Sequence, residues 1–150
     1  MILRRRRDDD LDRCVEALRL VHHADRYPMK WPRDPRAWLS RADAAWVAED
    51  EAGRIVGHVA VREGRPAELC RLFVVPEARR SPGSTGRALV DQVRAWAAER
   101  GCGLTLEVVD EHRSAAIAFY EATGWRHTHT TTADWTGPDG EPVRLRHYEG

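Results

Sequence analysis

The spacing of apolar side chains changes along the chain, and each period predicts a different kind of element. Between residues 11 and 21 the apolar positions recur every three or four residues, which predicts an amphipathic helix that covers a sheet. The same spacing over 87–100 predicts a second helix, closed by Gly101. Short runs of β-branched and other apolar residues predict strands at 2–7, 45–49, 54–62, 69–75, 104–109, 125–135 and 143–148.

The chain is organised around the stretch from Ala67 to Leu89, AELCRLFVVPEARRSPGSTGRAL. Strand 69–75, a loop rich in Gly, Ser, Pro and Arg, helix 87–100 and strand 104–109 form a βαβ unit, so the two strands are expected to be parallel. The loop directs bare backbone N–H groups, at the start of a helix, toward the space above it. Such an arrangement is suited to binding an anion.

The remaining connections between strands are short, and short connections join antiparallel strands. The turn DEAG joins two of them, with Gly57 expected to mark a bulge, and TGPDGEP joins the last two. Shorter helices are predicted at 34–40 and 114–123. We therefore expect one α/β domain over residues 1–150: a mixed, mostly antiparallel sheet of six or seven strands with one parallel βαβ pair, flanked by about four helices.

Composition limits the classes of function. The 150 residues are 42% hydrophobic and 32% charged with a formal net charge of zero, which is typical of a globular protein and unlike one whose main partner is nucleic acid. The run Arg4–Arg7 is neutralised locally by Asp8–Asp10, which are expected to supply N-cap and first-turn carboxylates to the next helix.

No membrane partner or export signal is predicted. No apolar run approaches the roughly 18 residues of a membrane span, and the chain start lacks the apolar segment of a signal peptide. Cys14, Cys70 and Cys102 are scattered without paired metal spacing, which indicates a reducing, cytoplasmic setting. His58, alone in a strand, is interpreted as structural. His127 and His129 alternate with threonines and are expected to share one face, but with no third ligand in view no metal site is predicted.

Two segments carry a resemblance to a known family. The stretch 67–89 has an apolar strand, a Val-Pro step, arginines, glycines and a helix with Leu, and AAIAFYEATGW (115–125) has a short helix with a Tyr that ends at Gly-Trp. They resemble motifs A and B of the GNAT superfamily, the acetyl-CoA-dependent N-acetyltransferases. The resemblance implies direct transfer of an acetyl group from acetyl-CoA to a primary amine of a small molecule or peptide, by a monomer or homodimer.

Two alternatives to this activity stay open. The first is a GNAT-like module that binds or senses acyl-CoA with weak or no catalysis, because the loop is longer than the family pattern and contains Pro82, which has no N–H. The second is a toxin-type acetyltransferase that acts on charged tRNA, which the zero net charge disfavours.

The cofactor is expected to lie along the organising strand and the loop. Backbone amides of the loop would cradle its pyrophosphate, flanking arginines would add charge-assisted hydrogen bonds, and the strand backbone would pair with the pantetheine arm, as the resemblance implies. Arg113 stands where family members often carry Asn, and it could reach a phosphate. The residues expected to bind acetyl-CoA are Leu72, Phe73, Val74, Arg79, Arg80, Gly83, Ser84, Thr85, Gly86, Arg87 and Arg113.

Acetyl transfer also needs a base for the amine and an acid for the leaving thiolate. Tyr120 matches the motif B tyrosine that donates toward the thiolate, and the alternative is a core ring with a satisfied hydroxyl. Glu68 resembles the strand carboxylate that some members use as base, and the alternative is a salt-bridged glutamate at a strand end. Glu107, on the neighbouring strand, is the second candidate for the base.

The acceptor site is expected to involve the proline-rich segment 22–43, which in the family often covers it. Its rings, Tyr27, Trp31 and Trp38, either line that site or pack the segment onto the core.

Overall fold

The computed structural model describes residues 1–79 and 85–150. Within these residues the chain forms seven strands and four α-helices, all close to the predicted positions. The strands are β1 (Ile2–Arg5), β2 (Ala44–Glu49), β3 (Ile55–Arg62), β4 (Ala67–Val74), β5 (Leu104–Val109), β6 (Arg126–Thr136) and β7 (Pro142–Glu149). The helices are α1 (Leu11–Asp25), α2 (Pro35–Ser40), α3 (Thr85–Arg100) and α4 (Ala115–Ala122). No helix in these two ranges is long and apolar enough to cross a membrane.

The strands form one mixed sheet in the order β1-β2-β3-β4-β5-β7-β6. β4 and β5 run parallel, and the other five neighbouring pairs are antiparallel. Helix α3 lies between β4 and β5 in the chain, so the predicted βαβ unit is confirmed. The predicted sheet, with one parallel pair and four flanking helices, is confirmed as well.

Helices cover both faces of this sheet, and each face has its own apolar cluster. α3 and α4 pack against one face through residues such as Val93 and Tyr120. α1 and α2 pack against the other through residues such as Leu18 and Leu39. Adjacent strand residues are divided between the clusters, as alternation along a strand requires: for example, Trp46 lies in the first cluster and Val47 in the second.

A β-bulge in the middle of β4 exchanges the sheet faces to which its side chains point. The pairing of β3 with β4 jumps from Ala60↔Cys70 to His58↔Phe73, so two β4 residues oppose one β3 residue. Arg71, at the jump, has a left-handed backbone with φ of 54°. Leu69 consequently faces α3, whereas Phe73 faces α1. In an unbroken strand, residues at even spacing would share one face.

A second bulge, at Gly57 in β3, confirms the sequence prediction and brings α3 close to the sheet. The pairing of β2 with β3 jumps from Ala48↔Gly57 to Glu49↔Ile55. A Cβ atom on Gly57 would lie 2.8 Å from Cγ2 of Thr85 and 2.9 Å from Cδ1 of Leu89. Only glycine therefore lets the first turn of α3 rest on β3 at this distance.

The carboxylates before α1 do not act as predicted. Asp10 is the N-cap residue of α1, but its side chain makes no capping hydrogen bond to that helix. Its buried carboxylate accepts hydrogen bonds from the guanidinium groups of Arg4 and Arg13 and from the backbone N–H of Arg7. These bonds, those from Arg4 first, hold the pKa of Asp10 well below its usual range. A buried charge needs such partners, so Asp10 ties α1 to β1 instead of capping it.

The expectation that His127 and His129 share a face was wrong. The pairing of β6 with β7 shifts between these two residues. As a result His127 lies against Tyr148, while His129 stacks on His147 with ring centroids 4.3 Å apart. Tyr148 and His147 are consecutive and point to opposite faces, so the bulge separates the two histidines.

Candidate active site

A cleft of about 900 Å³ opens between β4 and β5. Its walls are the inner edges of these strands, the first turn of α3, the side of α4 and the segment 25–29 that follows α1. The predicted site residues that line it are Tyr27, Glu68, Leu72, Phe73, Val74, Arg79, Thr85, Gly86, Arg87, Arg113 and Tyr120. The fold thus gathers residues that lie far apart in the chain into one concave surface.

The cleft exists because β4 and β5 part soon after they meet. Their parallel pairing is limited to Ala67↔Leu104 and Glu68↔Thr105. From Leu69 onward the edge of β4 that faces β5 has no partner on that strand, and its backbone donors and acceptors face the cleft instead. An extended polar ligand can pair with such an edge as an additional strand would.

His58 lies under the bulge of β4 and fixes its backbone. Nε2 of His58 is 3.0 Å from Nη1 of Arg6, which can only donate, so Nε2 is the acceptor. Nδ1 therefore carries the hydrogen and donates it to the Arg71 carbonyl oxygen at 2.8 Å. The ring also stacks on Phe73, with centroids 4.9 Å apart. Burial lowers the pKa of His58 to about 3, which keeps the ring neutral and able to make both bonds.

The first turn of α3 closes one end of the cleft. Gly86 lies close to α4: a Cβ atom there would be 3.5 Å from the ring of Phe119. Thr85 is buried, whereas Arg87 is exposed. Arg113 is also exposed and has a left-handed backbone just before Ser114, the N-cap of α4. Neither arginine is paired with a carboxylate among the residues that the structure describes, so both can meet an anion here.

Two parts of the predicted phosphate site differ from a simple basic loop. Arg79 donates from Nε to the Val74 carbonyl oxygen at 2.9 Å and from Nη2 to the carboxylate of Asp25, so its guanidinium is engaged within the protein. The predictions for Arg80, Gly83 and Ser84 lie outside the described residues.

Tyr120 brings a hydroxyl to the cleft from α4. Its ring is buried against Phe119, Trp125 and Tyr148. The hydroxyl makes no hydrogen bond to any residue in 1–79 or 85–150, although buried hydroxyls normally find a partner. Burial raises the pKa of Tyr120, so the group stays protonated at neutral pH and can donate.

Two carboxylates line the end of the cleft at which β4 and β5 pair. Glu68 accepts a hydrogen bond from Nη1 of Arg62 at 2.7 Å. Glu107, on β5 two residues beyond the partner of Glu68, is half exposed, and Nδ1 of His147 lies 3.9 Å from its carboxylate, beyond hydrogen-bond distance. Both line the cleft, but only Glu107 has a carboxylate that no arginine of the described residues occupies.

Comparison with known proteins agrees with this geometry. The acetyltransferase (GNAT) family profile matches residues 11–125. The chain belongs to the acetyltransferase (GNAT) family. No curated protein matches the chain in sequence at a significant level.

Solved structures of GNAT proteins share the fold. A ribosomal-protein-alanine N-acetyltransferase from Brucella melitensis is 21% identical with a TM-score of 0.75, over 100% of this chain and 99% of that one. An aminoglycoside 6'-N-acetyltransferase complexed with coenzyme A is 17% identical with a TM-score of 0.76, over 100% and 96%. A streptothricin acetyltransferase homologue from Bacillus anthracis, in complex with acetyl coenzyme A, is 20% identical with a TM-score of 0.60, over 71% and 60%.

In this GNAT chain the three aromatic residues of segment 22–43 are divided. Tyr27 lines the cleft, while Trp31 and Trp38 lie behind its lining. Trp31 packs on α1, with the guanidinium of Arg19 4.9 Å from its ring centroid. Trp38 packs on Tyr27 and carries the guanidinium of Arg71 at 3.8 Å.

Sequence reasoning passed over Arg71, and it interpreted His58 as structural, which agrees with the buried hydrogen bonds of that ring. Each has one signal in the sequence: a basic residue within an otherwise apolar strand, and an imidazole within another. Neither signal identifies a role without the bulge, because the bulge is what brings the His58 ring to the Arg71 carbonyl oxygen.

We expect the stability of the protein to fall in acid because of His58. Between its usual pKa of 6.5 and about 3, the unfolded chain protonates His58 and the folded chain does not. The free energy of unfolding should therefore decrease as pH falls through this window, by at most about 1.4 kcal/mol per pH unit. Urea unfolding of the wild type and His58→Gln from about pH 7 to pH 5 measures it, and the variant should lose this slope.

The matched control is His23→Gln, since His23 is exposed. It should keep the wild-type slope. The measured range, pH 7 to pH 5, lies above the ordinary pKa of 3.8 at which Asp10 titrates in the unfolded chain, so that group does not contribute there. A wild-type free energy that stays level over the window would contradict the assignment.

Proposed function

We propose that the protein is an acetyl-CoA-dependent N-acetyltransferase that transfers an acetyl group directly to the primary amine of a small molecule or peptide. The observation that carries this is the free edge of β4, which runs from the end of the cleft lined by Glu68 and Glu107 toward the start of α3. An extended thiol-ester cofactor and an amine can meet along that edge from opposite ends. Two similar structures are complexes with acetyl coenzyme A or coenzyme A, which supports the choice of cofactor.

The residues around the cleft fit the parts of acetyl-CoA. Backbone groups of Leu72, Phe73 and Val74 are positioned to pair with the amide groups of the pantetheine arm. The first turn of α3, with its free N–H groups, suits the pyrophosphate, and Arg87 and Arg113 lie near enough to the cleft to add charge. Arg79 would first have to give up its bonds to Asp25 and Val74 to do the same.

Acetyl-CoA supplies the acetyl group as an activated thioester. The amine nitrogen forms the new bond to the acetyl carbon, and the bond from that carbon to sulfur breaks. Glu107, directly or through water, takes the proton from the amine, because its carboxylate is not held by arginine. Tyr120 donates toward the departing sulfur, and its high pKa ensures that the proton is present. Backbone N–H groups of β4 near the bulge stabilise the charge that develops on the acetyl oxygen.

The surroundings of the protein follow from its cysteines. Cys14, Cys70 and Cys102 are all free thiols, and burial raises the pKa of Cys14 to about 12. Thiols that form no disulfide suit a reducing compartment, so we propose that the enzyme works in the cytoplasm.

The test of this function is calorimetry with acetyl-CoA, followed by a thioester-cleavage assay against a panel of amines. We expect binding and turnover by the wild type. Gly86→Asp should weaken binding at least tenfold, because it adds bulk and a negative charge where the pyrophosphate is expected. Gly86→Ala is the control for bulk alone, since its Cβ would meet Phe119 and Val74 only at ordinary contact distances of 3.5 and 3.8 Å.

Two results would contradict the proposal. No binding of acetyl-CoA at millimolar concentration would exclude the enzyme and the acyl-CoA sensor together. Binding without transfer to any amine would favour the sensor.

Tyr120→Phe should lower kcat about 10²–10⁴-fold, the usual contribution of a general acid, provided that chemistry limits the rate. Calorimetric affinity for CoA should hardly change, because the ring and its contacts remain. Tyr148→Phe is the matched control: it removes the hydrogen bond of Tyr148 to Glu121, 2.8 Å long, outside the cleft, and should cost about 1 kcal/mol of stability without a change in kcat. Normal turnover by Tyr120→Phe would contradict the role of Tyr120 as general acid and leave it only a packing role in the core.

The two glutamates are separated by their glutamine variants. Glu107→Gln should lower kcat/KM about 10²–10⁴-fold and flatten the acidic limb of its pH profile, because the base is lost. Glu68→Gln should have the smaller effect, since Glu68 is already bonded to Arg62. The opposite order of effects, measured by steady-state kinetics over pH, would assign the base to Glu68, as the sequence alone favoured.

A further inference from the structure

The bulge of β4 directs a cation into the cleft. The guanidinium of Arg71 lies over the ring of Trp38 at 3.8 Å, and its Nε donates to the Trp38 carbonyl oxygen at 3.3 Å. These contacts fix the plane of the group at the lining of the cleft, which includes Arg71. Burial lowers the pKa of Arg71, in agreement with a charge that has lost part of its water.

Arg71 differs from its neighbours in having no carboxylate partner. Arg62 is bonded to Glu68, and Arg79 to Asp25, whereas no carboxylate of residues 1–79 or 85–150 forms an ion pair with Arg71. A half-buried cation without a counter-ion favours an anion that arrives with a ligand.

The charges opposite Arg71 limit what that ligand is. Continuing the parallel register from Glu68↔Thr105 places Glu107 level with Cys70, the residue before Arg71. Thr105 and Glu107 lie on the sheet face opposite to the one that Leu104 and Leu106 present to α3, so Glu107 faces the same side as the Arg71–Trp38 pair. A carboxylate and a guanidinium thus stand across the cleft from each other, next to the strand edge that we assign to the thioester.

We propose that Arg71 binds a carboxylate of the acceptor, and that the acceptor is a free amino acid or a similar small molecule with its amine and carboxylate a few bonds apart. This rests on the proposed N-acetyltransferase function and specifies its substrate class. The amine meets Glu107, which removes its proton, while the carboxylate forms a two-point contact with the guanidinium. An amine that lacks a carboxylate can interact with Glu107 but leaves the guanidinium of Arg71 without an anion.

The experiment compares amino acids with their own amides as acceptors, so that each pair differs only in the carboxylate. Amidation makes the amine a weaker base, so a larger fraction of it is unprotonated and reactive at a given pH. Basicity alone therefore favours the amide, and a preference for the acid shows that the carboxylate is recognised. We expect a lower KM for the acids. Arg71→Gln should raise that KM about tenfold to a hundredfold, with KM for the amides and for acetyl-CoA unchanged.

Arg100→Gln is the matched control. Arg100 makes the same pair of contacts to another tryptophan, with its guanidinium 4.1 Å from the Trp96 ring and Nη1 donating to the Trp96 carbonyl oxygen at 3.4 Å, but it lies at the far end of α3, outside the cleft. Its loss should not change the ratio of acid to amide. If Arg71→Gln lost activity equally toward an amino acid and its amide, Arg71 would only stabilise the position of Trp38 and would not bind the carboxylate.

A direct binding measurement keeps the inference testable even if turnover is slow. N-acetylated amino acids, the reaction products, should bind the wild type in the presence of CoA and bind Arg71→Gln more weakly, as followed by calorimetry. Transfer to amines without preference for acids would overturn this inference and leave the N-acetyltransferase intact. Absence of transfer to any amine, with no binding of the acetylated products, would overturn both.

Discussion

The bulge at Arg71 is the constraint on which the rest of the site depends. One additional residue in β4 reverses which side of the strand faces which helix layer, so that the same strand supports the α3 side before the bulge and the α1 side after it. A left-handed arginine is costly for a backbone and persists only where its surroundings hold it. Here they are the His58 imidazole on the carbonyl oxygen and Trp38 on the side chain.

The bulge and the early separation of β4 from β5 act together. Separation exposes an edge of backbone groups, and the bulge sets the direction in which those groups point. Side chains from both helix layers then reach one opening: Tyr120 from α4 on one side and Tyr27 from the end of α1 on the other. A single cleft through the sheet can therefore receive two ligands that approach from different faces, which is the requirement of a direct transfer between them.

The fold was predictable because each of its elements has a local signal. The period of the apolar residues identified α1 and α3, and the βαβ connection required β4 and β5 to be parallel. The site was predictable where a motif spans it, as at Tyr120 and Gly86. It was not predictable at the bulges of β4 and β6, which no glycine marks, because a one-residue shift in pairing changes the face of every following residue.

Two residues illustrate that limit. His129 was expected on the same face as His127 and lies on the other one. No signal in the sequence distinguishes the role of Arg71, and only the bulge brings its guanidinium to Trp38. Asp10 failed for another reason: a cap and a buried ion pair use the same residue type, and only the positions of Arg4 and Arg13 distinguish them.

The contact of Gly57 with α3 has a consequence for how this chain can change during evolution. The first turn of α3 packs so closely on β3 that Thr85 and Leu89 leave no room for a Cβ atom at position 57. Any larger residue at position 57 would therefore move the start of α3, although Gly57 itself does not line the cleft. A substitution at Gly57 is therefore coupled to the end of the cleft that α3 forms, and homologues that keep this packing are confined to glycine there or must change Thr85 and Leu89 at the same time.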